Sequence, residues 1–246
     1  MKLAIFSDVH ANLEALEAFS TDYAGSGAAR LFFLGDSVGY GPCPNECIEL
    51  LVDLPACELL LGNHDSAARE QSAAIDMSPV ARQAIAWTRN QLTARSLQVL
   101  FSLHTVRISD DLSFSHASPH EPELWPYLTS QRAVRPVFAH TPHRISFVGH
   151  THIPRLIELR ADGSITFSSP EPGETVHLHA AARWIVNCGS IGQPRDNNPD
   201  GCYCLYDTES GCLQFRRLAY DHAATAARIR RAGLPGFLAE RLAHGI

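Results

Sequence analysis

The sequence predicts an α/β fold of two packed mixed β-sheets with helices on the outer faces, a four-layer αββα sandwich. Three observations predict it. Short continuous apolar runs recur, as in strands buried on both faces. Helical periodicities separate the first of these runs, which implies parallel strands joined by crossovers. The second half is instead a series of short strands joined by turns, which implies antiparallel pairing.

Five apolar runs each end in a polar cluster. LAIF (3–6) is followed by SDVH, LFFL (31–34) by GDSVGYG, and ELLL (58–61) by GNHD. LSFS (112–115) is followed by HAS, and ISFV (145–148) by GHTH. Each run is strand-length and closed by small or turn-forming residues. Between them lie a helical pattern through Leu13, Leu16, Phe19 and Tyr23 and a longer helical stretch over 80–103. Further strands are predicted at 154–159, 164–168, 176–179, 184–187, 202–206 and 213–218, with Ala161-Asp162-Gly163 as a hairpin turn. Two helical segments close the chain, starting near Asp221 and Pro235 and split by Gly233. No linker-like break divides the sequence, so 1–246 is read as one domain with C-terminal helices over about 221–246.

Composition narrows the function. The 246 residues are 45% hydrophobic and 19% charged, with a formal charge of −6. That balance disfavours stable nucleic-acid binding, which needs many cationic contacts. No run reaches the roughly 18 apolar residues of a membrane helix. The N-terminal MKLAIFSD reads as a first strand, not a signal peptide. Seven cysteines, an odd number, fit a reducing compartment, so the expected location is cytoplasmic. Cys202 and Cys204 share one face of a predicted strand and read as small buried residues.

In α/β folds, ligands bind at the carboxyl ends of the strands. The polar clusters therefore converge on one edge, carrying Asp8, His10, Asp36, Asn63, His116, His150 and His152. Imidazole and oxygen donors without thiolate suit Mn, Fe, Zn or Co. Seven donors exceed what one small ion takes, but fit two ions about 3.5–4 Å apart bridged by a carboxylate. The pairs Asp8-x-His10 and His150-x-His152 let two side chains leave one side of an extended segment. Two divalent cations outweigh two carboxylates and a hydroxide by about one positive charge, so the centre attracts a phosphate despite the acidic chain.

The ordered series D-x-H, GD, GNHD, a lone His and GHTH resembles the calcineurin-like metallophosphoesterase superfamily. SDVHANLEAL, GDSVGYGPCP, NCGSIGQPRD and IRRAGLPGFLAERLAHG resemble its bacterial branch that includes diadenosine-tetraphosphate-hydrolysing members. The resemblance spans the whole chain. It implies a metal-dependent phosphoesterase with two divalent transition-metal ions, Mn²⁺ foremost. Asp8, His10 and His152 would hold one ion, Asn63, His116 and His150 the other, and Asp36 both. His64 matches the family's catalytic His, and every ligand position is filled. The implied chemistry is in-line attack on phosphorus by a hydroxide held between the metals, with His64 protonating the leaving oxygen or stabilising its charge. Small phosphorylated substrates follow, nucleotides such as dinucleoside polyphosphates or phosphodiesters among them. A non-catalytic scaffold, a nuclease and a protein phosphatase are the alternatives.

Other residues carry two readings. Arg195 in GQPRD would clamp a substrate phosphate with its bidentate fork, or pair with neighbouring Asp196. Tyr40 would line the pocket or shape the GYG turn. Asn12 would reach substrate or cap the first helix, and Asp65 would cap the helix before SAARE or support the site. Trp125, Tyr127 and Phe138, in the proline-rich stretch 119–142, would stack a base or pin a loop to the body. His140 and His143 precede GHTH at the wrong end of its strand for a site role.

Overall fold

The computed structural model of the chain describes residues 1–171 and 173–246. In chain order, β1 (Lys2–Phe6), α1 (Leu13–Ala24), β2 (Arg30–Phe33), α2 (Pro44–Asp53) and β3 (Cys57–Leu59) form the first crossovers. Then come α3 (Asn63–Arg69), α4 (Pro79–Gln91), α5 (Ala94–Ser102), β4 (Val106–Ser109) and β5 (Leu112–Ser115), followed by α6 (Gln131–His140) and β6 (Ile145–Val148). Six strands follow, β7 (Arg155–Leu159), β8 (Ile165–Ser168), β9 (Thr175–His177), β10 (Arg183–Asn187), β11 (Gly201–Asp207) and β12 (Cys212–Leu218). The helices α7 (His222–Arg231) and α8 (Gly236–Glu240) complete the series.

The strands form two six-stranded sheets, ordered β3-β2-β1-β11-β12-β9 and β4-β5-β6-β10-β7-β8. In the first, β1, β2 and β3 run parallel, and β11 joins β1 antiparallel with Ile5 opposite Cys204. In the second, β5, β6 and β10 run parallel while β4, β7 and β8 are antiparallel. The parallel first half and antiparallel second half are therefore not segregated: each sheet draws strands from both. Periodicity shows which faces are buried but carries no information on which strand lies beside which.

Between the sheets lies one apolar layer that includes Ile5, Phe32, Phe114, Phe147, Val186, Phe215 and the thiols of Cys188, Cys202 and Cys204. All seven cysteines are free, and the Cys202–Cys204 pair is core. Phe32 and Phe114 stack across the two sheets at 3.8 Å between ring centroids, only 2° from parallel. Outside, α1 and α2 cover the first sheet through Leu16, Phe19, Cys47 and Leu51, and α6 covers the second through Val134, Val137 and Phe138. Phe138 thus pins its helix to the body.

The stretch 80–103 is two helices, not one. Thr93 stops the first, and its hydroxyl accepts the Ser96 N–H at 3.1 Å to cap the second. The strand β4 lies outside the apolar runs because Arg107 and Ile108 face solvent at the sheet edge. No helix among the described residues is long and apolar enough to cross a membrane.

The stacked pair bears on both sheets at once. Phe114→Ala removes a fully buried ring where neither sheet can collapse without the other, so a loss of about 3–5 kcal/mol is expected. Urea unfolding measures it, and a loss below about 1 kcal/mol would show that the interface relaxes freely.

Candidate metal centre

At the carboxyl ends of β1 and β2 the chain does not continue extended. Asp8, His10 and Asp36 take left-handed backbone, with φ of 57°, 50° and 61°. On the second sheet His150 and His152 do the same after β6, at 66° and 61°. Such conformations cost of order 1–3 kcal/mol each in non-glycine residues and persist only where the surroundings over-determine them. Here a ladder between loops does so. Asp8 N–H donates to Gly35 at 3.0 Å, His10 N–H to the Asp36 carbonyl at 2.9 Å, and Gly149 N–H to the His116 carbonyl at 2.8 Å. The sheets are tied together by His150 N–H, which donates to Asp8 Oδ2 at 3.1 Å. Gly62 and Gly149 are needed for close approach, since a Cβ would sit 2.0 Å from Asp36 Oδ1 and 2.2 Å from Ser7 Oγ, respectively.

The structure brings together all seven residues expected at the strand ends. Asp8 Oδ1 lies 3.7 Å from His10 Nε2 and 3.2 Å from His152 Nε2. Across the centre, His116 Nε2 lies 3.0 Å from Asn63 Oδ1 and 3.1 Å from His150 Nδ1. Asp36 Oδ2 stands between these two groups, 3.6 Å from His10 Nε2 and 3.3 Å from His116 Nε2. Its other oxygen is fixed by the His64 N–H at 2.8 Å.

Proton positions show what the site is built for. His10 Nδ1 lies 3.1 Å from the Val38 carbonyl, and His152 Nδ1 lies 2.6 Å from that of Gln193. A carbonyl only accepts, so both rings carry their proton on Nδ1. Their Nε2 lone pairs then face each other at 3.1 Å, with nothing to share between them. Asp8 Oδ1 is buried beside them without a hydrogen-bond donor. Converging lone pairs and an orphaned carboxylate oxygen fit a cation, with the carbonyls orienting the imidazoles behind it.

Charge follows the same pattern. Burial opposes ionisation of Asp8, but His152 and His116 outweigh it and hold the carboxyl well below the usual range. Asp36 is likewise lowered, by His116 and His64 against burial. Burial, with His116 adding, lowers His150 to about 4; burial, with Arg195 adding, lowers His152 to about 3. Both are neutral at pH 7 and able to ligate.

His64 opens α3 beside Asn63, its ring 4.8 Å from that of His10 and 4.4 Å from that of Tyr40. It shares a cluster with His10 and Asp36, and its Nδ1 is buried without a partner. Tyr40, in left-handed backbone, forms the wall between His10 and His64. Arg195 lies above the Tyr40 ring, its guanidinium 5.9 Å from the centroid. The alternative pairing of Arg195 with Asp196 is not made; Asp196 is engaged by Arg217. Trp125 and Tyr127 lie over the opposite side, Tyr127 stacked on His150 at 4.2 Å and Trp125 edge-on to His116 at 5.8 Å. Together they line a cleft of about 940 Å³.

Asn12, the other candidate for substrate contact, takes the helix-capping role. Its Oδ1 accepts from Ala15 N–H and the Thr225 hydroxyl, and its Nδ2 donates to the Gly192 carbonyl at 2.8 Å. Both ends of the amide are engaged in capping α1 and joining it to α7. His140, stacked on His120 at 4.4 Å, lies at the end of α6 away from the cluster.

Of the two readings of Asp65 the structure favours support of the site, and two further residues, Gln193 and Arg241, escaped the sequence reading of their roles. Asp65 is not the N-cap of α3 but its third residue, and it closes the loop that carries Asp36. It accepts from Asp36 N–H at 2.8 Å, Ser37 N–H at 2.9 Å, Ser37 Oγ–H at 2.6 Å, Val38 N–H at 3.2 Å and Gly62 N–H at 3.1 Å. Gln193 holds His152 through its carbonyl, and Arg241, from the turn after α8, reaches the cleft wall. A buried acid two residues after a ligand was a signal for Asp65; Arg241 gave none.

Asp65 has a consequence that can be measured. Asp65→Asn puts an amide NH₂ against main-chain donors, and an unpaired buried donor costs about 1–3 kcal/mol. Metal affinity is expected to fall about 10–100-fold, although Asp65 is not itself a ligand. Competition with a chelator measures it, and an unchanged affinity would show that the Asp36 loop holds its shape alone.

The chain matches the model of the calcineurin-like phosphoesterase superfamily domain over residues 1–211. It is 35% identical to an uncharacterized protein of Methanocaldococcus jannaschii over 245 residues, covering 98% of this chain and 96% of that one. Among solved structures it superposes on a metallophosphoesterase from Sphaerobacter thermophilus with a TM-score of 0.88 and 40% identity, over 100% of this chain and 99% of that one. A hypothetical protein from Pyrococcus horikoshii shares the fold at 19% identity and a TM-score of 0.79, over 100% and 98% of the two chains. The chain belongs to the calcineurin-like phosphoesterase superfamily and is a metal-dependent phosphoesterase.

Proposed function

We propose that this chain is a two-metal phosphohydrolase of small phosphoesters or phosphoanhydrides, with dinucleoside polyphosphates and phosphodiesters as its substrate class. The observation that carries the reading is the position of Asp36. One carboxylate oxygen faces both imidazole groups, the arrangement expected of a bridge between two ions. Asp8, His10 and His152 would hold one ion and Asn63, His116 and His150 the other, with Mn²⁺ the leading candidate. Such a pair supplies Lewis acidity and a nucleophile drawn from water at neutral pH.

The protein's own groups do the rest. Burial, with His10 and Arg195 adding to it, pushes the His64 pKa well below its usual value despite Asp36. Neighbouring cations would push it further the same way. His64 therefore acts as a neutral hydrogen-bond donor to oxygens that gain charge, rather than as a proton reservoir. Arg195 and Tyr40 border one end of the cleft and the two aromatics the other. Tyr127 is 56% exposed although its ring lies on a buried imidazole, so its outer face is free for a base. Stacking there would contribute about 1–3 kcal/mol. The cleft volume lies near the top of the range for small-molecule sites. Free cysteines and the lack of a membrane-spanning helix among the described residues fit a cytoplasmic location.

Metal content and pH test the centre. Elemental analysis should give about two transition-metal ions per chain. Chelation should abolish hydrolysis and Mn²⁺ restore it. In the metal-free chain burial would lower the pKa of His116, but Asp36 and Asp8 outweigh it and hold it up at about 9. The protonated ring then stabilises the metal-free fold fully below about pH 6.5, and that contribution is lost as pH rises through about 9. A cation must displace this proton, so apparent metal affinity should climb up to about pH 9. Parallel pH–stability profiles for metal-free and metal-loaded protein would contradict the assignment of His116.

His64 is tested separately. His64→Ala should keep both ions while lowering turnover about 10²–10³-fold, the usual cost of one pre-organised donor. If the variant loses metal and keeps its activity per bound ion, His64 is a ligand. Comparing dinucleoside polyphosphates, nitrophenyl diesters, phosphopeptides and single-stranded DNA fixes the class. Preference for a phosphopeptide or DNA over every nucleotide would move the substrate assignment to a phosphatase or nuclease.

A further inference from the structure

The C-terminal turn brings a second guanidinium to the cleft. Arg241 Nη1 donates to Gln193 Oε1 at 3.0 Å, and Arg195 Nη2 donates to the same oxygen at 2.8 Å. Two cations are thus gathered on one neutral amide. Among the described residues neither forms a salt bridge with an Asp or Glu side chain, whereas Arg217, Arg216 and Arg228 each do. Arg241 Nε also donates to the carboxylate of Ile246, the last residue of the sequence, while Arg195 Nε is buried with no partner. Gln193 itself is fixed: its N–H donates to Ser190 Oγ at 2.8 Å and its carbonyl holds His152.

We propose that Arg195, Arg241 and Gln193 form a binding site for a second phosphoryl group, one beyond the group held at the metals, and so select substrates with a phosphoanhydride chain. The inference rests on the two-metal reading and names what that site prefers. The acceptor the two guanidinium groups share, Gln193 Oε1, carries no charge, and a phosphoryl group matches two guanidinium forks. Burial and the neighbouring Arg195 lower the Arg241 pKa to about 10, so it remains cationic at neutral pH. Position agrees with the role. Arg195 N–H donates to the His152 carbonyl, which places this site on the His10–His152 side, across the centre from Trp125 and Tyr127. A nucleotide can then lie with its base on the aromatics and its distal phosphate on the arginines. Arg195 and Gln193 lie within residues 1–211 matched by the family model and Arg241 outside them, so the C-terminal part of the chain contributes one of the two guanidinium groups.

Calorimetric titration of metal-loaded protein with imidodiphosphate, a non-hydrolysable two-phosphoryl probe, and with orthophosphate separates the two sites. Arg241→Gln and Arg195→Gln should each weaken imidodiphosphate about 10–100-fold, the range for lost charge-assisted bonds, and orthophosphate less than about threefold. Gln193→Glu supplies the missing counter-charge internally, so it should also abolish the preference for imidodiphosphate while leaving the melting temperature equal or higher. That variant keeps the test valid should either arginine substitution unfold the C-terminal turn. Orthophosphate binding with an unchanged selectivity ratio in all three variants overturns the clamp alone. Wild-type protein that binds neither metal nor orthophosphate overturns the two-metal reading with it.

Discussion

The arrangement depends on two carboxylates that water cannot reach. Asp8 and Asp36 are 0% and 1% exposed, and such groups are stable as anions only among positive or hydrogen-bonding partners. Part of that is supplied by the protein: His116 is held protonated between Asp8 and Asp36, and the N–H groups of His150 and His64 donate to one oxygen of each. Asp8 Oδ1 is left without a donor, as a ligand to a cation would be. A third buried acid, Asp65, would add to the repulsion. Burial and Asp36 do raise its pKa, to about 6. Five donors from the Asp36–Val38 segment and Gly62 converge on it, which converts a liability into the brace for the bridging residue.

Those donors are available because the backbone is bent out of its preferred regions. A strand that continued extended would pair its N–H groups with a neighbour and alternate its side chains across two faces. Left-handed residues at Asp8, His10, Asp36, His150 and His152 instead turn side chains toward one point. The strain is borne collectively, since the Asp8 loop leans on Gly35, the His10 loop on Asp36, and the second sheet on Asp8 through His150. The apolar layer between the sheets, with Phe32 on Phe114, is what allows two separate loop sets to be held in register. Fold stability and site geometry are therefore coupled through few residues.

This coupling explains what the sequence could and could not disclose. Asp8, His10, Asp36, Asn63, His116, His150 and His152 were legible because an apolar run ending in an acid or imidazole is a local pattern with one outcome in an α/β sheet. Roles set by long-range contact were not. Asn12 has the same composition signal as a substrate-binding amide, yet Thr225, over two hundred positions away, takes its oxygen. Asp65 resembles any helix-start acid until the Asp36 loop closes over it. Thr93 interrupts a continuous helical periodicity, its hydroxyl capping the second helix through the Ser96 N–H. Pairing of β11 with β1 interleaves the two halves of the chain, and no periodicity encodes that choice.

The same interleaving gathers two arginines at one end of the cleft on a chain of net charge −6. Several acids are answered by arginines elsewhere, as Asp22 by Arg216, Asp196 by Arg217 and Glu14 by Arg228. Arg195 and Arg241 are set apart from that neutralisation and turned inward together. One comes from the loop after β10 and the other from the turn after α8, and the two meet only because α7 and α8 fold back over α1 and α4. Thr225 on α7 joins Asn12 at the start of α1, four residues from the first predicted ligand. The C-terminal helices thus brace the site from behind and carry Arg241 to its wall.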